Sequence, residues 1–259
     1  MLETLTTNDV WKTMVNYCLE SPDCISKPRG MEVREVLNGG YVVQMPAYLD
    51  LTARKVNVPF MFAEAAWIIS GSNRLEDITP YMKVYSNFSD DNVFLRGAYG
   101  PKVVDQLGYV VDAIEKDNDT RQAVLTIWRE RPGVSKDIPC TVAMQFLLRD
   151  GRLNMVTTMR SQDIVLGFTY DVFTFSMVAK AVQLLLHERG VEVELGVLFV
   201  NAGSMHIYER HYEEGENWVN QTETDPDIAK AVLKYTSAKT YTDLIRNLKK
   251  GAEEYGEAD

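Results

Sequence analysis

The chain has 259 residues, of which 46% are hydrophobic, and a formal net charge of -10 at pH 7. This length and composition suit one domain that can bury a core, and no linker, repeat or low-complexity run divides residues 1–259. The acidic balance argues against a protein that binds nucleic acid or an anionic membrane, since such proteins need a basic face.

The sequence contains no apolar run close to the roughly 20 residues that span a bilayer. Its polar N-terminal stretch does not look like a signal peptide. The three cysteines, Cys18, Cys24 and Cys140, lack the spacing of metal ligands, so no metal site is predicted. An odd number of cysteines without export signals indicates free thiols in a reducing compartment, and we therefore expect a cytoplasmic protein.

The first predicted element is an amphipathic helix over residues 8–19, with Asp9 as its candidate N-cap. A basic turn around Arg29 follows and opens a strand that runs through Met45. Arg29 and Arg34 are either solvated loop arginines or part of an anion site, and the residue types alone do not separate these interpretations.

A second helix is predicted from Pro59 to Gly71, and Glu64 lies inside its apolar pattern. A carboxylate in such surroundings is costly unless it is paired, and desolvation should raise its pKa. Glu64 is therefore a candidate acid/base group, with an exposed-face glutamate as the simpler alternative. A third helix, amphipathic in pattern, is expected over residues 103–115.

A hairpin is predicted in the middle of the chain, after Cys140. Asp150-Gly151 is a strong signal for a two-residue turn, and side chains alternate on both sides of it, at Val142, Met144, Phe146, Leu153, Met155 and Thr157. The polar run that begins at Arg160 follows the return strand, so a thiol and a cation are expected at the same end of the hairpin. A lone cysteine is most often a small buried hydrophobe, so its residue type alone does not identify a nucleophile.

A long buried helix is predicted over residues 172–186, which would make Asp171 its N-cap. A strand from Val191 then leads to His206 and Tyr208, whose two-residue spacing points both side chains to one face. They are either a packed core pair or part of a site. Two amphipathic helices are expected over residues 225–255, before an acidic end.

One long motif joins these residues. Pro139-Cys140, then Arg160-Ser161-x-Asp163-x-x-x-Gly167 and a polar residue four positions later, resembles the thymidylate synthase superfamily, as does Glu64-x-x-Trp-x-x-x-Gly. The likeness runs from about residue 29 to residue 211. It implies a fold of the α/β (α+β) class. In this fold a large mixed sheet is flanked by helices, and one face of the sheet forms a homodimer interface. Residues 1–259 would then be a single catalytic domain.

The resemblance also implies catalytic roles. Cys140 would add to C6 of a pyrimidine, with Arg160 lowering its pKa, and Glu64 would hold a water and relay protons. Asp171 stands where the synthases carry the asparagine that reads uracil, as in deoxycytidylate hydroxymethylases. A carboxylate accepts from the 4-amino group of cytosine but cannot donate to O4 of uracil, so Asp171 predicts cytosine.

The binding residues follow from the same likeness. The substrate would be dCMP or CMP. Its phosphate would be bound by Arg29 (with Arg34 as a rival), Arg160 and the partner subunit's Arg121. Its base and sugar would be bound by Ser161, Asp171, His206 and Tyr208. Gln122 replaces a second arginine that family members commonly have beside position 121. The cofactor, 5,10-methylenetetrahydrofolate, would contact Asp163, Gly167 and Tyr85. Tyr85 stands near the usual position of a tryptophan over the reacting carbon, and a more polar residue there would leave room for water.

The implied reaction is 5-hydroxymethylation of dCMP, in which water captures the transferred methylene. The product would serve a modified phage genome or a nucleoside antibiotic pathway. Three alternatives stay open: a dCMP 5-methyltransferase that produces dihydrofolate, a CMP 5-hydroxymethylase, and a nucleotide-binding or RNA-binding relative without catalysis. The end of the chain, residues 256–259, does not resemble the apolar segment with which the synthases close their site.

Overall fold

The computed structural model describes residues 6–130 and 133–256, so most of the acidic end, residues 257–259, lies outside the described residues. Within them the helices are α1 (Thr7–Glu20), α2 (Val58–Ile69), α3 (Gly100–Lys116), α4 (Gly167–Glu188), α5 (Tyr212–Trp218), α6 (Pro226–Thr236) and α7 (Tyr241–Gly256). The strands are β1 (Cys24–Ser26), β2 (Val33–Gln44), β3 (Val124–Thr126), β4 (Thr141–Arg149), β5 (Arg152–Met159), β6 (Gln162–Asp163) and β7 (Glu194–Tyr208).

The strands form one mixed sheet in the order β1-β2-β7-β5-β4-β3, and β6 pairs separately with β7. Most neighbours are antiparallel, whereas β5 and β6 run parallel to β7. The prediction of a large mixed sheet flanked by helices is confirmed. Because β5 and β6 both lie against β7, the polar run that starts at Arg160 is brought next to the end of β7.

The two faces of the sheet differ in their covering. On β2, Tyr41 and Val43 are buried against the helices, and Val42 between them is 45% exposed. Its partner across the ladder, Phe199 on β7, is 38% exposed. The helices therefore cover one face of the sheet, and the other face presents apolar side chains to the outside of the chain.

Helix α1 begins one residue earlier than its pattern predicts. Thr6 is the N-cap, and its side chain accepts a hydrogen bond from the backbone N–H of Asp9 at 3.2 Å. The Asp9 carboxylate accepts a hydrogen bond from the backbone N–H of Thr6 at 3.4 Å, which completes a capping box. The prediction of Asp9 as the cap is wrong because its carboxylate acts from the third helical position.

The predicted hairpin is confirmed, with positive φ at both turn residues, 50° at Asp150 and 71° at Gly151. The alternation predicted at its start is wrong in one place. A bulge between Thr141 and Ala143 shifts the register, so Thr141 is buried and Val142 is only partly buried. The bulge directly follows Cys140 and changes the path of the strand beside the thiol.

Helices α2 and α4 form the centre of the core. They pack through Phe62 and Phe173, whose ring centroids lie 5.5 Å apart at an interplanar angle of 85°. Helix α4 starts at Gly167, five residues before the predicted boundary. His187 near its end contacts the backbone of Val193 at 2.9 Å. In the described ranges, no helix combines the length and apolar character required to cross a membrane.

Candidate active site

Cys140 lies directly before β4, and its side chain is half-buried. The Arg160 guanidinium donates to two carbonyls of the loop in front of it, from Nε to Pro139 O at 2.9 Å and from Nη2 to Ile138 O at 3.0 Å. The backbone N–H of Arg160 donates to Cys140 O at 2.8 Å. The structure thus brings Cys140 and Arg160 together, and Arg160 fixes the loop that presents the thiol.

Burial dominates the surroundings of the Cys140 thiol and raises its pKa. The charge of Arg160 lowers it, Asp171 raises it further, and Arg29 lowers it. The predicted effect of Arg160 is confirmed, but desolvation outweighs the cation and the pKa rises overall. At neutral pH Cys140 is therefore a thiol, and it must lose its proton as it attacks.

The Glu64 carboxyl group on α2 accepts hydrogen bonds at both oxygens. Tyr85 Oη donates to Oε1 at 2.5 Å, and Thr174 Oγ1 donates to Oε2 at 3.2 Å. Burial raises the pKa of Glu64 against the effect of both hydrogen bonds, so the predicted direction is confirmed. A fixed carboxyl group whose pKa is raised by burial is suited to exchange a proton with a bound group.

Tyr85 belongs to an aromatic cluster beside Glu64. Its ring centroid lies 5.8 Å from that of Phe60, 6.1 Å from that of Trp67 and 6.4 Å from that of Phe88. Burial and the charge of Glu64 raise the pKa of the Tyr85 hydroxyl, which keeps it a hydrogen-bond donor. Because Phe88 is 38% exposed, an aromatic surface is accessible next to the acid/base group.

Asp171 is the fifth residue of α4, so the interpretation of Asp171 as an N-cap is wrong. Gln162 Nε2 donates to Asp171 Oδ2 at 2.9 Å. A Cβ at Gly167 would lie 3.2 Å from the same oxygen, so the glycine leaves space for the carboxyl group. Burial raises the pKa of Asp171 to about 7, with Gln162 opposing the rise and Glu64 adding to it. Asp171 is therefore partly ionised at neutral pH.

Asp163 stabilises the turn that leads into α4. Its Oδ1 accepts from the backbone N–H of Val165 at 2.8 Å and of Leu166 at 3.0 Å. Its other oxygen accepts no hydrogen bond from residues 6–130 or 133–256, and Leu166 is 45% exposed. An open carboxylate oxygen beside an exposed apolar side chain suits a flat ring with N–H donors, so these residues fit a folate pterin.

His206 lies opposite Asp163 in the β6–β7 ladder, and its ring stands perpendicular to that of Tyr208, with centroids 5.2 Å apart. Its Nδ1 lies 3.4 Å from Ser204 Oγ, which itself donates to the Glu35 carboxylate. Burial lowers the pKa of His206, so the imidazole is neutral at pH 7. The β6–β7 pairing thus brings His206 and Tyr208 to the end of the sheet where Asp163 lies.

The two candidate phosphate arginines near the N-terminus have different surroundings. Arg34 Nη1 donates to Leu19 O at 2.8 Å, and its guanidinium lies 4.4 Å from the centroid of the Tyr212 ring. Arg29 is exposed and lies near enough to Cys140 to lower the pKa of that thiol. Of the two arginines, Arg29 is therefore the one that lies near Cys140.

Arg121 is the predicted site residue that the chain does not bring to the others. It is exposed, and its carbonyl accepts from Gln145 Nε2 at 2.8 Å. Gln145 lies on β4 five residues beyond Cys140, about 17 Å along an extended strand. Ser161, by contrast, directly follows Arg160 and is half-buried next to the cluster.

Three residues of this cluster were not assigned from the sequence. Gln162 contacts Asp171, Thr174 contacts Glu64, and Tyr99 Oη accepts from the backbone N–H of Thr141 at 3.1 Å. Burial raises the pKa of Tyr99, and the nearby Cys140 adds to the rise. The spacing of Thr174, three residues after Asp171 on one helix, is the signal that would have found it. Gln162 occupies an unspecified position of the motif and gave no such signal.

Comparison with known proteins gives the same fold and identifies a family. The chain matches the thymidylate synthase family over residues 13–249. It is similar to the deoxyuridylate hydroxymethyltransferase of Bacillus phage SP01, with 31% identity over 203 residues that cover 70% of this chain and 52% of that protein. It is also similar to the deoxyuridylate hydroxymethyltransferase of Pseudomonas phage M6, with 31% identity over 169 residues that cover 60% of this chain and 46% of that protein. The chain therefore spans about half the length of these phage relatives.

A thymidylate synthase from Vesicomyosocius okutanii subsp. Calyptogena okutanii (strain HA) is 24% identical over 184 residues, which cover 66% of this chain and 68% of that protein. The solved structure of thermostable thymidylate synthase A from Bacillus subtilis superposes with a TM-score of 0.74 at 18% identity and covers 94% of each chain. The family uses 5,10-methylenetetrahydrofolate as its one-carbon donor. Since the family match spans most of the sequence, the chain belongs to the thymidylate synthase family.

Proposed function

We propose that the chain is a deoxycytidylate 5-hydroxymethylase that uses 5,10-methylenetetrahydrofolate. The family's chemistry, folate-dependent modification of C5 of a pyrimidine nucleotide, limits the reaction. The names of the two phage relatives support hydroxymethylation. The observation that carries the choice of cytosine is Asp171, whose carboxyl group lies close enough to Cys140 to raise the pKa of the thiol.

Asp171 favours cytosine when it is ionised. A carboxylate only accepts hydrogen bonds, so it pairs with the 4-amino group of cytosine and, where N3 carries a proton, with N3–H. Uracil presents the acceptor O4 at the same place. Two facing acceptors without a proton between them would weaken uracil binding by about 1–3 kcal/mol. This difference supports dCMP over dUMP.

Hydroxymethylation of dUMP is the second candidate. The names of the phage relatives favour it, and so does the pKa of Asp171, which burial raises to about 7. A neutral carboxyl group accepts from N3–H and donates to O4, as an amide does. The ionisation of Asp171 therefore separates the two candidates.

Cys140 would start the reaction by adding Sγ to C6 of the ring, and its proton passes to solvent water as the C–S bond forms. The addition makes C5 a carbon nucleophile and divides one difficult step into easier ones. Arg160 holds the loop of Cys140 in place through Ile138 O and Pro139 O and adds positive charge beside the thiol. Bound 5,10-methylenetetrahydrofolate would supply the one-carbon unit that becomes attached to C5, and with loss of the C5 proton to solvent and departure of tetrahydrofolate the nucleotide would carry an exocyclic methylene.

Glu64 would move the protons of the later steps. Its carboxyl group, fixed by Tyr85 and Thr174, can accept a proton from a water that adds to the exocyclic methylene carbon of the nucleotide. The electron pair returns to the ring, the bond between C6 and Cys140 breaks, and the cysteine leaves as a thiolate. The product is 5-hydroxymethyl-dCMP, with a hydroxyl group whose oxygen comes from water.

The remaining side chains would bind the sugar and phosphate. His206 and Tyr208 face the sugar, and Arg29 and Arg160 face the phosphate from the same chain. Asp163, Gly167 and Tyr85 form the cofactor side of the site. Neither His206 nor Tyr208 excludes a 2′-hydroxyl by its chemistry, so CMP belongs in the test of substrate choice.

A homodimer would complete the phosphate site. Members of this family are typically dimers. The exposed Val42 and Phe199 on the open face of the sheet, and the distance of Arg121 from Cys140 along β4, support an assembly in which Arg121 serves the partner's site. Dimerisation through this face would cover apolar surface that water otherwise contacts.

Incubation with 5,10-methylenetetrahydrofolate and, separately, dCMP, CMP and dUMP tests the proposal, with product masses and absorbance due to dihydrofolate as readouts. We expect a 5-hydroxymethylcytosine nucleotide without dihydrofolate, formed fastest from dCMP. A methylated product with dihydrofolate would make the chain a methyltransferase. Turnover of dUMP alone would establish the second candidate and contradict the proposed role of Asp171.

A further inference from the structure

Gln162 is the side chain that contacts the proposed base-reading group. It is 1% exposed and lies in β6, paired with β7. Its Nε2 donates to Asp171 Oδ2 at 2.9 Å. Its Oε1 is buried and has no hydrogen-bond partner among the described residues, and the same holds for the nearby Tyr41 hydroxyl. The Tyr41 hydroxyl lies close enough to Gln162 for the amide to lower its pKa, so Gln162 lies between Tyr41 and Asp171.

The hydrogen bond from Gln162 restricts what Asp171 can offer to a base. An oxygen that accepts the amide N–H presents its lone pair in that direction and is a poor position for a proton. Oδ2 therefore stays an acceptor, and any proton on Asp171 must lie on Oδ1. Gly167 leaves space on the same side of Oδ2, so the carboxyl group can keep this orientation.

The two pyrimidines need different arrangements. Cytosine binds an acceptor opposite its 4-amino group, whereas uracil needs a donor opposite O4. If the oxygen opposite position 4 can be protonated, Asp171 acts like an amide and accepts uracil. A donor to the carboxylate favours its ionised form, so the arrangement that accepts uracil is less populated.

We propose that Gln162 is a specificity-determining positioning residue, which by donating to Asp171 Oδ2 holds the Asp171 carboxylate in place as an acceptor for the 4-amino group of cytosine. This inference rests on the proposed function, because it explains how that substrate would be selected. Gln162 acts through Asp171 and does not need to touch the nucleotide. Its amide is suited to the role, since its NH₂ group can donate to Asp171 without adding charge.

Replacement of Gln162 by methionine tests this role. Methionine has nearly the same length and no hydrogen-bond donor. The matched control is Gln183→Met, because Gln183 is also a buried glutamine, 6% exposed, and its Nε2 donates to Val193 O at 2.7 Å, away from the cluster. The measured quantity is the ratio of kcat/KM for dCMP to kcat/KM for dUMP, with circular dichroism and dissociation constants for both nucleotides.

We expect the ratio to fall about 10- to 100-fold in Gln162→Met, the loss that corresponds to one hydrogen bond to a charged group. The ratio should stay within threefold of wild type in Gln183→Met. A ratio within threefold of wild type in a folded Gln162→Met protein would overturn the inference. If Gln162→Met does not fold, Gln162→Glu replaces it, because a second carboxyl group next to Asp171 also removes the donor and should lower the ratio.

The substrate proposal and the role of Gln162 fail in different ways. A wild-type enzyme that prefers dUMP would contradict the proposed substrate, and also the direction assigned to Gln162. A wild-type preference for dCMP that survives in Gln162→Met would leave the substrate proposal intact and overturn only the role of Gln162. A preference for dCMP that is lost in Gln162→Met and retained in Gln183→Met supports both.

Discussion

The base end of the candidate site consists of side chains that bond to one another, as Glu64 does with Tyr85 and Asp171 does with Gln162. At the proposed phosphate end, the guanidinium groups of Arg29 and Arg121 are exposed and make no hydrogen bond to any part of the chain that the structure describes. Burial raises the pKa values of Glu64 and Asp171 at the base end. We infer that one chain fixes the chemistry and the base preference, whereas phosphate binding depends on the ligand and on assembly.

The largest expected effect comes from removing the nucleophile. Cys140→Ser should lower kcat by about a thousandfold or more, because a hydroxyl replaces the thiol that forms the covalent bond. The dissociation constant for dCMP should stay within about threefold of wild type. Calorimetric titration and turnover measure the two quantities, and Cys24→Ser, at a half-buried cysteine on β1, is the control. Preserved turnover in Cys140→Ser would remove Cys140 from the mechanism.

The proton-transfer group should come second. Glu64→Gln keeps the size of the side chain and removes its acid/base function, so kcat should fall about 100- to 1,000-fold with little change in nucleotide affinity. Tyr85→Phe, which removes the donor to Oε1, should cost about tenfold. Pre-steady-state product formation measures both variants. A Glu64→Gln enzyme with kcat within threefold of wild type would show that the carboxyl group carries no proton in the reaction.

Removal of Arg121, which is proposed to bind the phosphate, is expected to change KM for dCMP. Arg121→Ala should raise KM for dCMP about 10- to 100-fold, as expected for a lost charge-assisted contact, with a smaller change in kcat. The control is Arg246→Ala on α7, since Arg246 is also an exposed arginine.

Mixing Arg121→Ala with Cys140→Ser subunits tests where Arg121 acts. If Arg121 serves the partner's site, a mixed dimer contains one site with both residues, and activity at low dCMP rises above that of either variant. No recovery after subunit exchange, verified by mass, would assign Arg121 to its own chain or to no site.

The smallest expected effect concerns pH. The pKa of Asp171 is raised to about 7, so the neutral form, which can donate to O4, is present below pH 7 and is lost above it. Affinity for dUMP should therefore fall about tenfold from pH 6 to pH 8, while affinity for dCMP changes less. The ratio of the two dissociation constants removes the shared titration of the phosphate. Because Glu64, Asp163, Tyr85, Tyr99 and Cys140 also surround Asp171, Asp171→Asn is the required control, and its ratio should not depend on pH.

The sequence predicted the fold where pattern and burial agree. Alternation around Asp150-Gly151 gave the hairpin, and helical periodicity gave α2 and the two C-terminal helices. Boundaries failed where a polar residue acts inside an element, as Asp9 does in its capping box and Asp171 does within α4. The bulge after Cys140 depends on strand pairing, which no local pattern reports.

The candidate site was predictable in its residue types and less so in its contacts. The motif brought Cys140, Arg160 and Asp163 to one end of the sheet. The bond between Tyr85 and Glu64 joins residues that are 21 positions apart, and it depends on tertiary packing. The effect of Arg160 on the pKa of Cys140 was predicted correctly, but the net rise was not foreseen, because a nearby cation is visible in the sequence and the amount of buried surface is not.

The hydrogen-bond direction at Ser204 has a consequence for inhibitors. Since the Ser204 hydroxyl donates to Glu35, it can only accept from His206, which puts the imidazole proton on Nδ1 and leaves a lone pair on Nε2. If His206 faces the sugar, that lone pair requires a hydroxyl donor. A 2′,3′-dideoxynucleotide would exclude water from Nε2 and offer this nitrogen no hydrogen-bond donor. Chain-terminating nucleotide analogues should therefore be poor ligands, whereas analogues altered at C5 that keep the 3′-hydroxyl should bind.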